Sequence, residues 1–158
     1  MYSKIMVPLD GSELAECVVP HVKAISNSGH VREIVLVRVV NAIRLPASVP
    51  ASSDFGFREP DRFKLEAHRR STAEAYLKEL AGQFEVEGVA VSHAIVEGRA
   101  ADSLADYAVK GEVDLIVIAS HGRSGVSRWV MGSVAEKVVR SSCVPVLMVR
   151  APGCEPKV

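Results

Sequence analysis

The stretch ASHGRSGVSRWVMGS, residues 119–133, places Gly122 and Gly132 around a polar segment that follows an apolar run. The segment also carries potentially cationic side chains, which are His121, Arg123 and Arg128. Gly122 lacks a Cβ atom, so it can adopt a positive φ angle and let an anion approach the main chain. Gly132 and Ser133 open a helix-like run, where unpaired N–H groups and the helix dipole favour phosphate. The Ser133 hydroxyl adds a donor, and the arginines could pair with phosphate oxygens. The stretch therefore predicts a phosphate site.

Other interpretations of this stretch stay open. The glycines also suit a plain turn before a well-capped helix, the arginines suit a solvated loop, and His121 suits packing at a strand exit. No GxxxxGK[ST] motif is present, and no GxGxxG follows the first strand, which argues against a P-loop and a dinucleotide site. No GxSxG elbow and no metal-ligand spacing among the histidines occurs either. We therefore predict no catalytic residue and no metal ligand.

Composition limits the classes of partner. The chain has 158 residues, is 48% hydrophobic and carries 19 basic and 19 acidic side chains. This size fits one domain, and a net charge of zero provides no basic field for nucleic acid or a membrane surface. We expect no signal peptide and no spanning helix, because no run of about 18 apolar residues occurs. Cys17, Cys143 and Cys154 are scattered, which indicates reduced thiols, and the first two are expected in the core.

Short β-branched runs alternate with longer amphipathic runs. Strands are expected at 4–9, 32–40, 89–96, 114–120 and 144–150. The first helix should start with Ser12 as its N-cap and be interrupted at Pro20. Longer helical patterns cover about 61–85 and start again near Gly132 and Ser133, and a short helix follows the turn after residue 97. Residues 41–60 are rich in Pro, Ser and Gly, which predicts a flexible loop.

This alternation predicts an α/β fold. We expect one domain over residues 1–150, with a tail at 151–158. The domain should be an open five-stranded parallel sheet in the order 3-2-1-4-5, with helices on both faces, as in Rossmann-like nucleotide-binding proteins.

Strands 1 and 4 are neighbours where this order reverses, and ligands bind at such points beyond the carboxyl ends of the strands. The two exits are PLDGS and ASHGRSG, the most polar strand exits of the sequence. Asp10 in the first exit can accept hydrogen bonds from ribose hydroxyls or orient a metal ion indirectly. We therefore expect Asp10 and the main chain around Gly132 to share one cleft.

The chain resembles the universal stress protein family over nearly its full length. The resemblance begins with KIMVPLDGSELAE and ends with SHGRSGVSRWVMGSVAEKVVRSSCVPVLMVR. ATP-binding members carry Gly-x2-Gly-x9-Gly-Ser/Thr after the fourth strand. Gly122, Gly132 and Ser133 match the second part of this motif. Ala119 replaces the first glycine, and being small it should still fit the backbone path.

The resemblance implies roles for several residues. Pro8 and Asp10 match positions at the adenine and ribose, and Val39 matches a position that lines the adenine pocket. Positions that hold the phosphates are matched by Gly122, Gly132, Ser133 and Val134. With Ala119 and Arg123, these residues form the expected nucleotide site.

The same resemblance implies ATP as ligand, with Mg²⁺ or Mn²⁺ bridging the phosphates. It also implies a cytoplasmic homodimer paired through the last strand, which acts in stress response with a further protein partner. We expect an ATP-binding regulatory protein, since robust turnover is not typical of the family. The alternatives are a slow ATPase or autokinase at the same site, and an interaction scaffold without nucleotide.

Overall fold

The computed structural model describes residues 1–41, 59–121 and 132–151. In the second of these ranges, side chains are described from residue 63 onward. Most of the predicted loop at 41–60 and of the tail at 151–158 lies outside these residues. So do Gly122, Arg123, Arg128 and Cys154.

Within the described ranges, five strands alternate with four α-helices. The strands are β1 (Lys4–Pro8), β2 (Glu33–Val40), β3 (Ala90–Glu97), β4 (Leu115–Ala119) and β5 (Val146–Val149). The helices are α1 (Val19–Ser26), α2 (Glu59–Ala81), α3 (Ala100–Lys110) and α4 (Ser133–Ser141). One 3-10 turn, Ala15–Val18, precedes α1, and another, Gly82–Phe84, follows α2.

The strands form one parallel sheet in the order β3-β2-β1-β4-β5, which confirms the predicted fold class and strand order. β1 pairs with β2 from Lys4↔Glu33 to Pro8↔Val37. Its pairing with β4 is much shorter and consists of Ile5↔Leu115 and Met6↔Ile116. The sheet is therefore continuous, but its central junction is joined only near the amino ends of the strands.

Successive side chains of each strand point to opposite faces of the sheet. Both faces are buried because helices pack on each of them. One face packs against α1 and α2 through a core that includes Ile5, Leu36 and Leu77. The other face packs against α3 and α4 through residues that include Met6, Val35, Ile116, Leu104 and Val138. Each large apolar side chain buried this way contributes about 1.5–3 kcal/mol. The uninterrupted apolar strands of the sequence follow from this double covering.

The first helix differs from its prediction. The Ser12 hydroxyl accepts from the Ala15 N–H at 3.3 Å, as a capping group would, but the chain then forms a 3-10 turn. The α-helix begins only at Val19, with Pro20 in its first turn. Proline has no N–H to donate and its φ angle suits a helix start, so Pro20 begins the helix instead of interrupting one.

The prediction for Cys143 was also wrong. Cys143 lies between α4 and β5 with its thiol exposed, whereas Cys17 is half-buried and burial raises the pKa of its thiol. Both are free thiols. In the part of the chain that the structure describes, no helix is long and apolar enough to cross a membrane.

Candidate functional site

A cavity lies at the carboxyl ends of the central strands, where β1 and β4 stop pairing. The last pair of these strands is Met6↔Ile116, and β4 continues to Ala119 beyond it. The cavity has a volume of about 160 Å³ and is lined on one side by the exit of β1 and on the other by the exit of β4 and the start of α4. It is therefore at the point where the strand order reverses, as such folds require of a ligand site.

The structure brings most of the predicted site residues together. The lining includes Pro8, Asp10, Val39, Ala119, Gly132, Ser133 and Val134. The remaining two, Gly122 and Arg123, lie outside the described residues. Asp10 and the start of α4 thus share one cleft, as expected from the predicted strand order.

Other lining residues were missed by sequence reasoning. Ala100 and Leu104 of α3, Val37 of β2, and Ala15 after the first turn also line the cavity. They are small or apolar, so no chemical motif marks them. Their only signal was the turn at the carboxyl end of β3, which the parallel topology places on the same edge of the sheet. The cleft therefore has an apolar wall opposite its polar rim.

The turn after β1 fixes the carboxylate of Asp10. Oδ1 of Asp10 accepts from the Ser12 N–H at 3.0 Å and from the Ser12 hydroxyl at 2.6 Å. Gly11 between them has a φ angle of +83°, which glycine adopts without strain. These two bonds orient the Asp10 carboxylate, whose oxygens act only as hydrogen-bond acceptors when it is ionised.

A small polar cluster lies behind Asp10. The Tyr76 hydroxyl of α2 donates to Glu16 Oε1 at 3.0 Å, and the Arg38 guanidinium lies 5.3 Å from the centre of the Tyr76 ring. Burial raises the pKa of Tyr76 well above its usual range, and the negative charges of Glu16 and Asp10 act in the same direction. Tyr76 therefore remains a hydrogen-bond donor, and its bond to Glu16 connects α2 to the 3-10 turn at Ala15–Val18.

Gly132 is required by packing at the start of α4. Its N–H donates to the Ser120 carbonyl at 2.8 Å. A Cβ atom on Gly132 would lie 2.8 Å from that same carbonyl oxygen and 3.4 Å from the His121 Cα atom. The Gly132 N–H is therefore already bonded at the exit of β4, so the unpaired N–H groups that the sequence predicts at the start of this helix must belong to the residues after Gly132.

The N–H groups that remain for an anion come from the next three residues. The first intrahelical bond of α4 runs from the Glu136 N–H to the Gly132 carbonyl. Ser133, Val134 and Ala135 precede it, and all three line the cavity. The start of α4 therefore presents main-chain donors and a positive dipole end to the cleft.

Ser120 connects several parts of the site. Its side chain is buried, with 4% of the residue exposed, and its hydroxyl accepts from the Ala151 N–H at 3.1 Å. The same hydroxyl lies 3.0 Å from Nδ1 of His121, which lines the cavity. The Ser120 N–H donates to the Val149 carbonyl of β5 at 2.7 Å. Ser120 thus joins β5, α4 and His121 at one point.

Comparison with known proteins gives the same family over nearly the whole chain. The profile of the universal stress protein family matches residues 1–150. Universal stress protein MJ0577 of Methanocaldococcus jannaschii is 30% identical over 156 residues, which is 95% of this chain and 96% of that protein.

Solved structures show the same fold. The hypothetical protein MJ0577 superposes with a TM-score of 0.80 at 28% identity, covering 97% of this chain and 99% of that chain. A universal stress protein in complex with cAMP gives a TM-score of 0.67 at 24% identity, covering 95% and 98%. A family protein from Arabidopsis thaliana with AMP bound gives 0.65 at 16% identity, covering 96% and 93%.

Proposed function

Because the chain belongs to the universal stress protein family, we propose that it is a nucleotide-binding regulatory protein whose cleft takes ATP. The observation that carries this proposal is the single cleft lined by both Asp10 and the first turn of α4. A carboxylate that accepts from ribose hydroxyls and helix N–H groups that donate to phosphate are the two functions a nucleotide needs from a protein.

The apolar wall supports a base beside the ribose. Backbone groups of neighbouring residues in a parallel strand point to opposite sides, and the Val37 carbonyl of β2 accepts from the Leu9 N–H. Val39, two residues farther, directs its N–H and C=O to the same side, beyond the last pair, Pro8↔Val37. This main-chain donor and acceptor match the paired acceptor and donor on the edge of an adenine ring.

The volume of the cavity agrees with partial enclosure. At about 160 Å³ it is smaller than the roughly 300–1,000 Å³ of sites that enclose most of a drug-sized ligand. The described walls would hold the base and ribose, and the phosphates would extend along the start of α4. The relatives that carry cAMP and AMP are 24% and 16% identical, so they support the fold and the nucleotide assignment rests on the cleft.

A divalent cation would be held mainly by the nucleotide. Mg²⁺ keeps several waters and is usually bound by one or two carboxylates together with substrate phosphates. Among the described residues no group of three or more His, Cys, Asp or Glu side chains could hold a metal ion. The chemistry fits a cation that bridges phosphate oxygens, with Asp10 as the acidic side chain in the cleft.

We further propose a homodimer through β5. β5 is an edge strand, and Leu147 and Met148 on it are 39% and 37% exposed. An exposed apolar edge strand favours pairing with another strand. Since Ser120 bonds to both β5 and the start of α4, nucleotide occupancy can be transmitted to the dimer edge.

The proposal is tested by ligand-induced stabilisation. At an ATP concentration 100 times Kd, binding stabilises the folded state by about 2.7 kcal/mol. For a chain of this size that corresponds to a rise in Tm of roughly 5–10 °C. Acid extraction of the purified protein, followed by identification of any released nucleotide, tests the same point independently. A Tm that does not change at millimolar ATP, in protein free of bound nucleotide, would contradict the proposal and favour the scaffold alternative.

A further inference from the structure

A hydrogen bond from α2 reaches the segment that leads from β1 to α1. This segment, residues 10–18, carries two residues that line the cleft, Asp10 and Ala15. Only its last four residues are helical, and they form the 3-10 turn at Ala15–Val18. The position of Asp10 in the cleft therefore depends on the hydrogen bonds that the segment makes.

Hydrogen bonds inside the segment connect Asp10 to Glu16. Asp10 Oδ1 accepts from the N–H and from the hydroxyl of Ser12. The Ser12 carbonyl accepts from the Ala15 N–H at 3.0 Å, and the Glu13 carbonyl accepts from the Glu16 N–H at 3.1 Å. These overlapping turns hold the main chain from residue 10 to residue 16 as one unit. A restraint on Glu16 therefore also acts on Asp10.

Tyr76 supplies such a restraint from outside the segment. Its hydroxyl donates to Glu16 Oε1 at 3.0 Å. α2 is itself fixed on the sheet, because Ala73 and Leu77 on either side of Tyr76 are fully buried. The Arg38 guanidinium of β2 lies 5.3 Å from the centre of the Tyr76 ring, where a cation is attracted to the aromatic face. The hydroxyl is therefore presented to Glu16 by two elements of the packed core, α2 and β2.

The Tyr76 hydroxyl is the donor of this bond at neutral pH. Burial raises the pKa of Tyr76, and the hydrogen bond to Glu16 and the charges of Glu16 and Asp10 act in the same direction, whereas Arg38 opposes them. The phenol is therefore protonated and the Glu16 carboxylate accepts. A substitution of Tyr76 by Phe keeps the ring under Arg38 and removes one hydrogen-bond donor without changing any charge.

We propose that Tyr76 is a positioning residue of the nucleotide site, which holds the segment 10–18 through Glu16 and thereby keeps Asp10 directed at the ribose. Tyr76 is not among the described residues that line the cavity, so its effect on a ligand is indirect. The ligand part of this inference rests on the proposed nucleotide function. The restraint on the segment does not depend on any ligand.

The first test is amide hydrogen exchange of the ligand-free protein, followed by NMR. The Ser12 and Ala15 N–H groups are hydrogen-bonded inside the segment, so their exchange rates report how often it opens. In Tyr76→Phe these two amides should exchange roughly 2–10-fold faster, the effect of losing one hydrogen bond. Faster exchange confined to the core strands, with Ser12 and Ala15 unchanged, would show that Tyr76 contributes only to overall stability and would overturn the proposal.

The second test is a pair of double-mutant cycles on ATP affinity, measured by titration calorimetry. Tyr76→Phe and Glu16→Ala should each weaken binding by roughly 2–10-fold, and together no more than either alone, because both break the same bond. Glu16→Gln, which keeps an oxygen that can accept from Tyr76, should retain most of the affinity. Adding Tyr76→Phe to Asp10→Ala should cause no further loss, because Tyr76 acts through Asp10. Losses that add in either cycle would overturn the proposal.

Tyr107→Phe provides a matched control. Tyr107 is a half-buried tyrosine of α3, and it packs on the opposite face of the sheet from Tyr76. Its substitution should change neither the exchange of the Ser12 amide nor ATP affinity. If the unaltered protein binds no ATP, the proposed function fails and the ligand role of Tyr76 fails with it. If it binds ATP and Tyr76→Phe binds ATP equally well, only the inference on Tyr76 fails.

Discussion

The carbonyl oxygen of Ser120 accepts the Gly132 N–H at 2.8 Å, so two residues that are distant in sequence lie in contact. This bond places the first turn of α4 directly beside the exit of β4. It also explains why the residue before α4 is glycine, since any Cβ atom there would meet the same oxygen. The geometry of the cleft therefore depends on one close backbone approach.

Gly132→Ala should destabilise the protein and weaken ATP binding. The added Cβ atom would lie 2.8 Å from a backbone oxygen that cannot rotate away, so β4 and α4 must separate. We expect a loss of about 1–3 kcal/mol in the free energy of unfolding, measured by urea denaturation. Gly82→Ala is the matched control, because a Cβ atom there meets nothing within 4 Å, and it should be neutral or slightly stabilising. Equal stability of the two variants would contradict the packing argument.

Two substitutions of Asp10 separate its structural role in the turn after β1 from its role in binding the ligand. Asp10→Asn keeps an oxygen that can accept from Ser12, so its unfolding free energy should stay near that of the unaltered protein. Asp10→Ala loses both bonds and should be less stable by about 1–2 kcal/mol. Both variants should bind ATP more weakly, because each removes a carboxylate that accepts from ribose. Calorimetric titration checks this, and unchanged affinity in both variants would remove Asp10 from the site.

Tyr76→Phe should lower stability in a pH-dependent way. At pH 8 the loss of the hydrogen bond to Glu16 should cost about 0.5–1.5 kcal/mol. The pKa of Tyr76 is raised in the folded state by burial and by the negative charges of Glu16 and Asp10, against the opposing effect of Arg38. As pH rises above about 10, tyrosine ionises first in the unfolded chain, so the unaltered protein loses stability that the variant does not.

The measurement is urea unfolding of both proteins between pH 8 and the highest pH at which both still fold reversibly. The difference in unfolding free energy should shrink as pH increases. A difference that grows with pH would mean that the folded state favours the phenolate.

Leu147→Glu should disrupt the proposed dimer. A charge on the exposed edge strand opposes pairing of apolar strands, so sedimentation should shift from dimer to monomer. Val109→Glu is the control, because Val109 on α3 is 58% exposed and lies away from β5. Its oligomeric state should not change. An unaltered protein that sediments as a monomer would rule out the β5 interface.

A measurement of ATP hydrolysis distinguishes the proposed regulatory function from the alternative of a slow enzyme. We expect turnover, if measured with and without Mg²⁺ or Mn²⁺, to stay at the background rate. Were hydrolysis to occur, Asp10→Ala should abolish it, and activity that survives this substitution would indicate a contaminating enzyme. Loss of activity in Asp10→Ala with retained folding would establish the ATPase alternative.

The fold and the position of the cleft could be predicted because they follow from local patterns. An uninterrupted apolar run such as LIVIA is typical of a strand covered on both faces, and alternation of strands with helices indicates a parallel sheet. The roles of Ser120 and Gly132 could not be predicted, because they depend on distances between β4, α4 and β5. Ala100 and Leu104 were missed because small apolar residues carry no chemical signal before α3 is placed.

The short pairing between β1 and β4 divides the sheet into two halves, β3-β2-β1 and β4-β5, held at their seam by Ile5↔Leu115 and Met6↔Ile116. Asp10 belongs to one half and the start of α4 packs on the other. A ligand that contacts both halves adds interactions across this junction, where the two strands lack further backbone pairs. Occupancy would then make the two halves unfold as one unit, and amide exchange along β5 would slow although the ligand touches none of its residues.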